Sequence, residues 1–198
     1  MTPKQRAEPL SRDERRKAIL EAVIPLIVER GARVTTSEMA EAACIAEGTI
    51  FRVFPDKPTL IREAVKSSFD PRPDVEALGQ VDEDADLETR VRTAAAVLER
   101  RFDRVHTLYS VARSLKGSGG RHGDGYRIAR DANDHIVAAL TELLAGAEDE
   151  LAVSPAKAAA VLNGLMFAIH FPFNTDQDAL TRDDVVTLLL NGVRARND

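Results

Sequence analysis

Residues 35–60 read TTSEMAEAACIAEGTIFRVFPDKPTL, and the fold turns on this stretch. Thr35 and Glu38 stand in the S/T-x-x-E spacing of a capping box. The hydroxyl accepts from the amide three residues on, and the carboxylate reaches back to the first amide. The spacing predicts a helix from Thr36, with Met39, Ala40 and Ala43 on one face. Ala40 is small enough to let a second helix cross closely. Cys44-Ile45 breaks the pattern, and Ile45 is placed to plug the corner. A second helix is predicted from Ala46 or Glu47 to Phe54, with Ile50 and Phe54 four residues apart on its inner face. Glu47, Gly48, Thr49, Phe51 and Arg52 then face outward or sideways. Pro55 stops this helix, because the residue before a proline is steered away from helical backbone. Asp56 caps a further helix running to about Phe69, with Pro58 tolerated in its first turn. Two short helices about a tight turn are the layout that sets one helix into a DNA major groove.

Upstream, Ser11 and Glu14 form a second capping box. It opens a helix whose inner face is Leu20, Val23, Ile24 and Ile27, and Gly31 closes it. Pro25 lies inside, where it should remove a backbone hydrogen bond and introduce a kink. Lys4, Arg6, Arg12, Arg15, Arg16 and Lys17 make a basic arm that can follow phosphates or enter a minor groove, or else a solvated tail. Residues 1–66 hold 12 Lys and Arg against 10 Asp and Glu, and residues 67–198 hold 15 against 22. A mildly basic head on an acidic body is consistent with DNA contact through the head, although such a small excess is also ordinary surface variation.

Downstream, DPRPD (70–74) reads as a break and 75–86 as an acidic linker. From Leu87, the residues Val91, Ala94, Leu98, Phe102, Val105 and Tyr109 recur at helical spacing, in one helix or in two with a bend near 103–106. GSGGRHGDG (117–125) reads as a loop; it lacks the Gly-Lys-Ser/Thr ending of a phosphate cradle. A helix over 126–145 turns Ile128, Ala132, Ile136, Leu140, Leu143 and Leu144 inward. Ser154-Pro155 opens another, and a last one runs from Thr181 to about Ala195. These two final helices carry more apolar surface than one chain needs, which points to burial against a second subunit. The expected fold is all-α, with about nine helices. A helix-turn-helix domain spans 11–70 and a helical domain spans 75–198.

The run Ala43-Cys44-Ile45-Ala46-Glu47-Gly48-Thr49-Ile50-Phe51-Arg52-Val53-Phe54, with Lys57 and Leu60 behind it, resembles the DNA-binding domain of TetR-family (tetracycline-repressor-type) regulators. The resemblance extends over about residues 12–70. Three positions depart from the family pattern. Cys44 replaces the turn glycine, at a strain of about 1 kcal/mol. Ala46 replaces a serine cap worth about 0.5–2 kcal/mol. Phe51 replaces a tyrosine and so lacks a hydroxyl for phosphate. The resemblance implies a homodimeric, ligand-responsive repressor on a palindromic DNA operator, paired through its last two helices. Thr35, Thr36, Phe51 and Lys57 would meet phosphates, while Glu47, Thr49 and Arg52 would face base edges. A small-molecule effector would bind the C-terminal domain, where helix position makes Phe102, His106, Tyr109, Arg113, Tyr126, Met166, Phe167 and His170 candidates.

No HExxH, CxxC, GxSxG or Walker-type loop is present, so neither catalysis, a metal nor a cofactor is expected. His106, His122, His135 and His170 are scattered. The single cysteine excludes an intramolecular disulfide and fits a reducing cytoplasm; Cys44 reads as a buried structural thiol. MTPKQRAEPL lacks an apolar signal core. No run reaches the roughly 20 apolar residues needed to span a bilayer, so no membrane partner is expected. Two alternatives remain on sequence alone. One is a helical interaction module whose DNA head has weakened, which indifference to DNA sequence would favour. The other is an all-α enzyme, which turnover lost on removing His106 or His170 would favour.

Overall fold

The structure is a computed structural model that describes residues 11–114, 122–171 and 180–193. Its regular elements are helices: α1 (Arg12–Arg30), α2 (Thr36–Ala42), α3 (Glu47–Val53), α4 (Lys57–Ser68), α5 (Arg72–Leu78), α6 (Leu87–Ser114), α7 (His122–Ala145), α8 (Pro155–His170) and α9 (Arg182–Val193). Two short 3-10 turns, Gly31–Arg33 and Glu148–Glu150, complete them. The chain divides into two compact units, Met1–Ser67 with Thr107–Gly119 and Ser68–His106 with Gly120–Asp198.

The first unit is built on α1–α4. Ile19, Leu20, Val23 and Ile27 of α1 are buried at three- and four-residue spacing, and Ile24 packs at the margin. They meet Met39 and Ala40 of α2, Ile50 and Val53 of α3, Phe54, and Leu60, Ile61 and Ala64 of α4. Leu108 and Val111, from the far end of α6, complete this core. Ser11 and Thr35 both form the reciprocal capping boxes read from the sequence. Gly31, at φ +64°, ends α1 in a conformation a side chain resists. Pro25 is exposed within α1, which runs on through it as a helix. Water can serve the carbonyl that the proline leaves without a partner.

The second unit packs α7 against α5 and α8, and α8 against α9. The amino-terminal part of α6 runs through its core, with Leu87, Val91, Ala94, Ala95 and Leu98 buried. Residues 70–78 correct the sequence reading of a break and a linker. Pro71 caps α5, and Pro73 lies in its first turn. There prolines open a helix, because the first-turn amides have no intrahelical acceptor to lose. Asp74 and Leu78 are the buried residues of α5. The α6 segment is one continuous helix of 28 residues. Of the glycine-rich stretch read as a loop, residues 122–125 belong to α7, where a first turn tolerates glycine because few backbone bonds depend on it. Residues 117–121 lie outside the described residues.

Buried polar groups join these helices. Arg101 donates to Asp74 at 2.8 Å and Arg104 to the same carboxylate at 2.9 Å. Together they tie α5 to α6 through an ion cluster in which Arg101 and Asp74 are buried and Arg104 is partly exposed. The buried Arg90 donates to the carbonyls of Glu83, Ala85 and Leu143, so it caps the end of α7 from α6. A Cβ at Gly146 would sit 2.5 Å from this guanidinium, so only glycine leaves it room. No helix among the described residues is long and apolar enough to cross a membrane.

Candidate nucleic-acid interface and ligand cavity

The α2–α3 corner is closed by backbone geometry. Cys44 takes φ 54°, the left-handed value that the missing glycine would have adopted freely. The amides of Cys44 and Ile45 donate to the carbonyls of Glu41 and Ala40. Ile45 packs against the head core. The Cys44 thiol is exposed, which corrects the expectation of a buried one. A left-handed residue at a tight corner turns its Cβ away from both helices.

Ala46 caps α3 with no side-chain hydrogen bond. Ile50, Val53 and Phe54 anchor the helix inward. Its outer side presents Glu47, Gly48, Phe51 and Arg52, all exposed, with Thr49 half-buried. Phe51 leaves 46 % of its surface in water, a high value for a phenyl ring in a small domain. A Cβ at Gly48 would meet nothing within 4 Å, so the start of the helix is open to a close approach.

The other sequence-chosen contacts are already engaged within the chain. The Thr35 hydroxyl accepts from the Glu38 amide at 3.2 Å and donates to the Glu38 carboxylate at 2.8 Å. Glu38 is held below the ordinary glutamate range, first by the Thr35 backbone N–H and then by its hydroxyl and by Arg30. The half-buried Thr36 donates to Glu47. Lys57 is half-buried, and its ammonium donates to the carbonyls of Ala32 and Val34. It thereby fixes the start of α4 to the turn before α2. Of the basic arm, Arg16 faces inward. It donates to the Val53 carbonyl at 3.2 Å, pairs with Glu63 at 3.0 Å and lies 4.7 Å over the Phe54 ring. It clasps α1 to the end of α3, a role its place in a charge run could not reveal. Lys4 and Arg6 lie outside the described residues.

In the second unit a cavity of about 300 Å³ opens beside α6, α7 and α8. Its walls are Phe69, Phe102, Val105, Phe167 and Phe171, and its polar lining is Arg101, Arg130 and Asn133. Phe102 and Phe167 meet edge to face at 5.7 Å, and Phe167 stacks on Phe171 at 4.7 Å. Phe102 and Phe167 were read from the sequence as pocket residues, and both line this cavity. His170 packs 5.6 Å from Phe102 and the exposed His106 5.4 Å from Phe171, but neither lines the cavity. The His170 ring is fixed by the Met166 carbonyl at 2.7 Å and faces Asp103 at 3.4 Å. Met166 itself is fully buried in the core and does not line the cavity. Tyr109 and Arg113 belong to the first unit and are exposed. The Tyr126 side chain lies outside the described residues. Sequence reading missed Arg101, Arg130 and Asn133, because in charged helices they look like solvated residues. It missed Phe69 and Phe171 because they fall just past helix ends.

Residues 19–64 match the family profile described as bacterial regulatory proteins, tetR family. No curated protein matches the chain. Among solved structures it is similar to a TetR transcriptional regulator from Streptomyces coelicolor (21 % identity, 90 % of this chain and 98 % of that one, TM-score 0.59). It is also similar to a putative TetR-family regulator from Mesorhizobium loti (17 % identity, 94 % and 100 %, TM-score 0.56). The superantigen PfiT shares the fold as well (17 % identity, 95 % and 100 %, TM-score 0.55), so architecture alone does not fix function. The sequence profile and the helical architecture therefore agree: residues 19–64 match the amino-terminal domain described for the tetR family of bacterial regulatory proteins, within a fold similar to that of solved regulators of that family.

Proposed function

We propose that this chain is a transcriptional regulator that acts as a homodimeric repressor, releasing its DNA operator when a small molecule enters the second unit. The observation that carries the reading is the outer side of α3. A seven-residue helix anchored by Ile50, Val53 and Phe54 turns Glu47, Gly48, Phe51 and Arg52 to solvent on a tetR-family head. Arg52 and Glu47 are the side chains for base edges, with Thr49 beside them. Thr35, Thr36, Phe51 and Lys57 are the side chains assigned here to phosphates. Because Thr35 and Lys57 also hold the head together, they position the backbone as much as they contact DNA.

Dimerisation is supported by α8 and α9. Ala160, Val161, Gly164 and Ala168 form an exposed small-residue stripe on α8, and Leu188 and Gly192 are exposed on α9. Val161 and Leu188 leave 48 % and 54 % of their surface bare. Small residues let helices of two subunits approach closely, and this exposed set is distinct from Leu162, Leu189 and Leu190, which lie in the core. Two recognition helices would then reach successive major grooves about 34–36 Å apart. An effector acts by favouring the dimer whose helices no longer match that spacing.

The test is footprinting and gel shift against DNA flanking the protein's own gene. A protected palindrome whose affinity falls steeply with salt is expected. Equal affinity for all duplexes would overturn the reading and favour a helical interaction module with a weakened head.

A further inference from the structure

The charged side chains that line the cavity described above are both hydrogen-bond donors. Its lining contains two guanidiniums and an amide, and no carboxylate. Arg101 spends one N–H on Asp74 and keeps the rest of its fork. Arg130 is exposed and pairs with no carboxylate among the described residues. Asn133 already accepts, through its Oδ1, from Asn163 Nδ2 at 2.9 Å, which leaves it N–H groups to give. The remaining lining is apolar, Val105, Ala129 and four phenyl rings, three of them in the edge-to-face and stacked pairs of Phe102, Phe167 and Phe171.

We propose that this cavity takes a small organic acid: a flat apolar body lying against Phe102 and Phe167, with its carboxylate paired to Arg130. The proposal rests on the effector reading given above and names the chemical class of that effector. Three arguments lead to it. A cation would meet the Arg130 charge with no carboxylate in the lining to offset it, since Asp74 is already engaged by Arg101 and Arg104. A neutral apolar molecule would offer the Arg130 fork no acceptor. A carboxylate restores those hydrogen bonds and can accept two of them from one guanidinium fork. The volume of about 300 Å³ is at the lower end for ligand sites, so the body is of the order of a single ring with a short side chain. The overall negative charge of the second unit makes this lining, basic and without a carboxylate, a departure from its surroundings.

The probes are 3-phenylpropanoate and its neutral amide, titrated calorimetrically into the full chain and into an Arg130→Gln variant. Arg130 is exposed, so its replacement leaves the fold intact, and a thermal melt checks this. The acid should bind at least about tenfold more tightly than the amide, as expected for losing one charge-assisted contact. Arg130→Gln should bring the acid down to the amide's affinity and leave the amide unchanged. Equal binding of acid and amide, no binding of either, or an acid preference that survives in the variant would each overturn the proposal. DNA affinity is measured separately by gel shift. An acid that binds in the expected pattern without releasing DNA supports the ligand class and sinks the effector reading. Release by a neutral or cationic compound, with no acid preference, does the reverse.

Discussion

Thr36 donates to the Glu47 carboxylate at 2.5 Å, joining the first residue of α2 to the first residue of α3. The contact holds an acid at the leading edge of the helix proposed to enter DNA. A carboxylate so placed accepts from cytosine N4 and repels the phosphates on either side. Glu47→Gln should therefore bind random duplex severalfold more tightly and lose preference at one base pair, a change of about 1–3 kcal/mol. Binding-site selection with both proteins measures this. The same preferred bases from each would remove Glu47 from readout.

Lys57 illustrates how one side chain can hold a fold and meet a ligand. Two of its three N–H bonds reach the carbonyls of Ala32 and Val34. Lys57→Met should lower head stability by about 1–3 kcal/mol, the range for hydrogen bonds to a charged donor. The log–log salt dependence of DNA binding should also flatten by roughly one unit. Melting and salt titration separate the two effects: a lower melting point with an unchanged slope would make Lys57 a purely structural cap.

Leu188 and Val161 test the subunit contact. Leu188→Glu or Val161→Glu places a charge on a face proposed to lose water, so sedimentation should find monomers of unchanged helix content. Operator affinity should fall by about a hundredfold or more, since linked half-sites no longer act together. Dimers that persist in both variants would move the interface elsewhere.

The exposed helix caps make stability sensitive to acid. Hydrogen bonds from Ser11 hold Glu14 below its ordinary value of 4.5, and those from the Thr35 backbone and hydroxyl do the same for Glu38. Thr59 lowers Asp56, and Thr181 lowers Asp184. A folded value below the unfolded one contributes stability that is complete above the unfolded value and disappears as pH falls through the folded one. Unfolding free energy should thus be insensitive to these groups from neutrality to about pH 4.5 and decline below it. The decline should be shallower in Glu14→Gln and Glu38→Gln. Denaturant melts across that range measure it, and parallel curves for wild type and variants would count against the caps as its source.

Asp74 is the residue whose loss should cost most. Asp74→Asn leaves two guanidiniums facing a neutral amide, one of them buried, so about 3–5 kcal/mol should be lost. Chemical denaturation measures this, and a loss below about 1 kcal/mol would mean that water reaches the cluster.

The head was legible because its signals are local. Capping boxes, the Cys44 corner and the Ile50–Phe54 spacing each fix a few neighbouring residues, and the structure places all of them as read. The α5 helix was not legible, because two prolines carry opposite meanings at a helix start and in its interior, and only Asp74 reaching Arg101 decides between them. The cavity was legible in part. Phe102 and Phe167 stand out on apolar faces, whereas Arg101 and Arg130 look like any surface arginine until a neighbouring helix encloses one side of them. The same limit explains Arg16, a member of a basic run that folds back onto Phe54.

The shared carboxylate of Asp74 gives the second unit a spare clamp. Arg101 faces both Asp74 and the cavity, while Arg104 holds Asp74 from the side at 2.9 Å. Were Arg101 drawn away, the buried Asp74 would keep a second guanidinium. The helix pair α5–α6 is in this way held twice at one carboxylate, and either arginine alone can be lost more cheaply than the aspartate they share.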